Sequence, residues 1–155
     1  ALQAAVEVLL AVYHFTGAKP QARAKPSQYY DNIYTDREAM FMHSPYALEE
    51  KLTKAVAKGD EAASLAALRE IGAKGEKSVL AKNPLRSVKN SMIGSIAFLA
   101  RAAIQAGVSA NDAFALSDAL TKQVEEMEAR GAVLAFEEDI LLQFITLVRR
   151  RVDAA

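Results

Sequence analysis

The sequence has no cysteine, which excludes disulfide frameworks, thiol catalysis and cysteine-based metal sites. Neither charge is in excess: Lys+Arg and Asp+Glu number 19 each, for a formal net charge of +0. A module that grips nucleic acid by itself is normally basic, because neutralising phosphates supplies most of that affinity. Direct DNA binding by this stretch is therefore not expected. No apolar run reaches the ~18–20 residues that span a bilayer, since Glu7 and Arg101 interrupt the best candidates. The first residues lack a basic n-region and a cleavage site, so no signal peptide is expected. These absences point to a cytoplasmic protein with no membrane partner. The chain opens on Ala1 rather than Met, which fits a piece of a longer protein as well as removal of an initiator Met.

Patterns that carry chemistry are also scarce. His14 and His43 fall in separate segments without metal-ligand spacing. The acidic pairs Glu49-Glu50, Glu125-Glu126 and Glu137-Glu138 sit beside basic residues on faces that read as solvated. General acid–base work needs instead a perturbed carboxylate in a cleft. No G-x-S-x-G, Gly-rich phosphate loop or E-x-x-H pattern occurs. No catalytic residue, metal or cofactor is expected, and the chain does not read as an enzyme.

What is present is helix. Apolar residues make up 52% of 155 positions and charged residues 25%, a globular balance in a chain of one-domain length. Residues 1–16 place Leu2, Val6, Leu9 and Tyr13 on one face before Gly17. Residues 18–34 hold two prolines and read as a loop, and Thr35-x-x-Glu38 opens a short helix to about His43. Ser44-Pro45 starts a helix that stops at Gly59, and Asp60 caps another that runs to Gly72. Asn83-Pro84 repeats the cap-plus-proline device for a helix ending at Gly107. Ser109-x-x-Asp112 opens one that ends near Gly131, and a last helix covers about 134–152. Strand alternation never lasts more than a few residues. The expected fold is all-α: a single-domain bundle of about six to seven helices around a long central helix at about 84–106.

That central helix has an odd start. Projected at about 100° per residue, Leu85, Val88, Met92, Ile96 and Leu99 share one face. Arg86, Lys89 and Asn90 head a second face that continues as Ile93, Ala97, Ala100 and Ile104. A third strip holds the small residues Ser87, Ser91, Gly94 and Ser95, with Phe98 below them. A helix start offers free N–H groups and partial positive charge, so Asn83, Arg86, Lys89 and Asn90 form a candidate seat for an anion or a partner's carboxylate. The alternative is that Asn83 caps while the cations pair within the domain. Tyr29, Tyr30, Tyr34, Phe41 and Tyr46 are candidate pocket aromatics, or ties of a long loop onto the core. Arg149-Arg150-Arg151 suits a helix C-terminus or a lead into a further domain.

Three stretches, "SPYALEEKLTKAVAKGD" (44–60), "LAKNPLRSVKNSMIG" (80–94) and "AGVSANDAFALSDALTKQVEEME" (106–128), resemble in order and spacing the helical regulatory region of AraC/XylS-type transcription regulators. The most specific is "KNPLRSVKN" followed by the long apolar helix. The resemblance covers about residues 38–150 and leaves 1–37, a helix plus loop, unmatched. It implies a sensor or dimerisation region, 1–155, that controls an attached helix-turn-helix domain not present in this chain. DNA would then be a partner only through that domain, with a small-molecule effector and a homodimer as the other expected partnerships. Asn83, Arg86, Lys89 and Asn90 are the positions carried over, as contacts to a ligand or to the neighbouring domain. A stand-alone helical protein–protein interaction module is the competing expectation.

Overall fold

A computed structural model describes residues 46–74 and 79–153. They belong to a unit spanning Met42–Ala155, and Ala1–Phe41 form a separate unit. The described residues hold five helices: α1 (Tyr46–Ala57), α2 (Glu61–Lys74), α3 (Pro84–Gln105), α4 (Ala110–Glu126) and α5 (Arg130–Asp153). No strand occurs among them, as the missing alternation implies. The expected helices at 1–16 and 35–43, the loop 18–34 and the Ser44-Pro45 cap lie outside the described residues, so five of the expected helices are seen.

Local chemistry sets most of the boundaries. α1 stops at Gly59, whose φ of 64° suits glycine, and the Asp60 carboxylate then accepts from the Ala63 N–H at 3.0 Å. Asn83 caps α3 by accepting from the Arg86 N–H at 3.0 Å, with Pro84 next in line. α3 ends before Gly107, at φ 93°. Ser109 opens α4: its Oγ accepts from the Asp112 N–H at 3.1 Å and donates to Asp112 Oδ2 at 2.7 Å.

One boundary differs. α4 ends at Glu126 and α5 begins at Arg130, so Gly131 sits in the first turn of the last helix rather than after the previous one. The break comes from Met127, which turns extended at φ −70° and ψ 130° without needing a glycine. Lys89 from α3 then donates to the Glu125 carbonyl, one of the carbonyls a helix end leaves unpaired.

α1 packs on α2 and α3 on α4, as two hairpins. α5 touches all four other helices, whereas α3 touches α1, α4 and α5 but not α2. The centre expected at 84–106 alone is therefore shared. Ile140, Leu141, Phe144, Ile145 and Val148 of α5 are at most 1% exposed, and they meet Met92, Ile96 and Leu99 of α3 in one core. Each such side chain contributes about 1.5–3 kcal/mol on burial.

Helices α3 and α5 run parallel. Arg130 lies beside Pro84 and Ser87 at one end, and Arg151 covers Gly107 at the other, where an added Cβ would sit 2.8 Å from the guanidinium carbon. Arg149 reaches the other glycine turn, with Nε donating to the Gly59 carbonyl at 2.8 Å and Nη1 to Glu61 at 2.9 Å. The arginine run of the sequence thus fastens both hairpin turns to the C-terminal end of α5.

Candidate functional site

The polar cluster at the start of α3 is brought together. Asn83, Arg86, Lys89 and Asn90 line one open depression of about 450 Å³ with Leu85 and Glu125. Two of the four have intramolecular roles. Asn83 is spent on the cap. Lys89 holds the end of α4, with its side chain only 12% exposed and its Nζ 3.9 Å from the Glu125 carboxylate. A cation there complements the negative end of α4. Arg86 and Asn90 are exposed, and neither has a side-chain partner among the described residues. The face below them is less tightly packed than its composition suggests: Ala100 is buried, but Ile93, Ala97 and Ile104 are half-buried.

Asn90 also belongs to a second feature. The backbones of α2 and α3 do not approach closely, and a groove of about 440 Å³ opens between them. Met92, Ile140 and Leu141, almost fully buried, form its floor. Leu68 and Ile71 of α2 make one wall, and the small strip of α3, Ser91, Gly94 and Ser95, makes the other with Phe98. Leu52 and Glu49 of α1 close one side, and Leu80 and Glu137 lie at the rim. The segment leading into α3 is held over Ser87, whose Oγ accepts from the Leu80 N–H at 2.8 Å. An apolar concavity of this size with a few polar groups is the usual form of a small-molecule site.

Ion pairs tie α2 to its neighbours. Lys51 of α1 pairs with Glu70 at 2.8 Å. Arg69 pairs with Glu138 of α5 through two bonds, at 2.9 and 3.3 Å. Hydrogen bonding to Arg69 holds the Glu138 carboxyl below its ordinary range and raises the guanidinium in turn.

Of the candidate aromatics, Tyr46 alone lies among the described residues; Tyr29, Tyr30, Tyr34 and Phe41 fall outside them. Tyr46 is 73% exposed and borders a shallow depression with Glu49, Phe98 and Arg101, so it stands at the surface and walls no closed pocket. No cluster of three metal-ligating side chains occurs among the described residues, and no helix among them is long and apolar enough to cross a membrane.

No family model, curated protein or solved structure matches the chain.

The strip Ser91, Gly94, Ser95 was visible in the sequence as a face of the helix. What turns it into a wall is the distance kept by α2. No local pattern encodes that distance.

Proposed function

We propose that the chain is a non-catalytic regulatory region of an AraC/XylS-type transcription regulator, one that binds a small molecule and controls an attached helix-turn-helix domain. In this reading the protein is cytoplasmic, acts as a homodimer and reaches DNA only through that attached domain. The resemblance supplies the family. Its first and third stretches cover α1 and α4 with their glycine turns, and its second covers the start of α3.

The observation that supports a binding role is the groove between α2 and α3. Its floor and rim include Glu137, Ile140 and Leu141 from the first half of α5, and the last turns of the same helix carry Arg149 and Arg151 onto both hairpin turns. One continuous helix therefore links the groove to the far end of the bundle. A ligand that alters the spacing of α2 and α3 changes the load on a helix that touches every other described element.

The test is the coding sequence downstream of Ala155. It is expected to continue into a basic segment with two helix-turn-helix units, and a stop codon directly after Ala155 would sink the proposal. One observation favours the second reading, a stand-alone interaction module. Phe114 stands 47% exposed on α4, facing away from the core. Loss of a pulled-down partner in Phe114→Ser, with the fold intact, would support that reading.

A further inference from the structure

We infer that the α2–α3 groove is a site for a compact apolar molecule carrying a protonated amine, with Glu49 as its counter-charge and Gly94 as the residue that keeps it open. The inference rests on the ligand-binding role proposed above and names the class of ligand.

Gly94 makes the first argument. It lies in the middle of the 22-residue helix α3, where glycine costs about 1 kcal/mol relative to alanine. Glycines in helices are commonly explained by close approach of a neighbour, yet a Cβ placed on Gly94 would meet nothing within 4 Å. Its backbone is helical, so no positive φ demands glycine either. The missing side chain leaves room in the groove, and nothing in the packing offsets its cost.

Chemistry of the lining makes the second argument. The floor is apolar and the volume, about 440 Å³, holds a ligand of a dozen or so heavy atoms. Among the described residues no cation lines the groove, so a carboxylate or phosphate ligand would find no counter-charge there. Glu49, in the first turn of α1, and Glu137 of α5 are the two acidic residues of the lining. Ser91 and Ser95 add hydroxyl oxygens, and the Ser95 hydroxyl donates to the Ser91 carbonyl at 3.3 Å, leaving its lone pairs free to accept. Acceptors and a negative charge around an apolar floor select an ammonium over an anion.

The experiment uses the full chain and three probes sharing one apolar body: phenylbutylamine, phenylbutanol and phenylbutyrate. Isothermal titration and thermal shift are run on the wild type, Gly94→Leu and Glu49→Gln. Expected are saturable binding of the amine several-fold tighter than either relative, its loss in Gly94→Leu, and a narrowed gap between amine and alcohol in Glu49→Gln, where Glu137 remains at the rim. Because Glu49 is exposed, the Gln variant keeps the fold even if the Leu variant does not, and circular dichroism reports on both. Equal or tighter binding of the alcohol or the carboxylate overturns the ligand class. Amine binding that survives Gly94→Leu in a folded protein overturns the site, and no binding of any probe overturns the inference as a whole. The regulatory proposal is read separately from the downstream coding sequence, so its failure is distinguishable from each of these.

Discussion

The C-terminal end of α5 and the groove along its first half are built on opposite plans. At the end, an arginine side chain lies against each of two glycines. Gly59 and Gly107 adopt positive φ, and Arg149 and Arg151 lie against them closely enough that a Cβ would sit 3.0 and 2.8 Å away. Along the groove, Gly94 adopts an ordinary helical backbone and faces open space. The same residue type is obligatory in one region and elective in the other. The difference teaches that a glycine's meaning lies in its φ and its neighbours; Gly72 and Gly131 also face open space, and Gly94 differs from them in lining the groove.

The largest effect separates closed core from open wall. Phe144 is fully buried where α5 meets the other helices, so Phe144→Ala is expected to cost ~3–5 kcal/mol through lost burial and a cavity. Leu68 is only half-buried on the groove wall. Leu68→Ala should cost about 1 kcal/mol, because water already reaches part of the side chain. Urea denaturation measures both. Similar losses would mean that the groove closes in solution and that wall and core are packed alike.

The two kinds of glycine give the next test, and there the sign itself differs. Gly107→Ala should destabilise by ~1–2 kcal/mol, since an L-residue is strained at that φ, and Arg151 must also move aside. Gly94→Ala should stabilise by ~0.5–1 kcal/mol, the ordinary gain of alanine over glycine within a helix. Thermal denaturation of the pair reads the difference directly. A destabilised Gly94→Ala would show that something packs on that face after all.

Helices and their starts were the most legible part of this sequence, because caps act over three or four residues. Asn83-Pro84, Asp60 and Ser109-x-x-Asp112 were each read from the sequence and each make the predicted bond. The end of α4 was not legible. Gly131 looked like its stop, yet an extended Met127 breaks the helix sooner and Lys89, distant in sequence, meets the freed Glu125 carbonyl. Nor could the sequence show that α5 shares the centre with α3, since periodicity reports which face is apolar but not how many helices press on it. The polar cluster was legible as a cluster. Its division into Asn83 and Lys89 with structural duties, and Arg86 and Asn90 without partners among the described residues, depended on where α4 ends.

That division predicts a smaller pair of effects. Asn83→Ala removes the cap of α3 and should cost about 1 kcal/mol, whereas Arg86→Ala should stay within about 0.5 kcal/mol, as exposed substitutions away from special features do. Chemical denaturation decides. If Arg86→Ala costs as much as Asn83→Ala, Arg86 has a structural duty as well, and the cluster loses one of its two unengaged members.

The smallest effect concerns the tie that fixes α2 beside the groove. Pairing with Arg69 lowers the Glu138 carboxyl in the folded protein relative to its ordinary, unfolded value. A lowered carboxyl binds its proton less readily when folded, so the unfolded state takes up protons first as pH falls. The stabilisation from this group is therefore present above the ordinary carboxylate range and is lost as pH falls through that range towards the folded value. Arg69 stays protonated throughout and adds no pH dependence of its own there. The pair is exposed, so its contribution is small and weakened further by salt. Urea midpoints of wild type and Glu138→Gln should differ by a small, constant amount near neutral pH and converge in acid. Midpoints that coincide at every pH would mean that α2 is held by its apolar contacts and by Lys51–Glu70, without help from α5 at this point. In that case the ionic tie on α2 would come from α1 alone, and α5 would act on α2 only through packing.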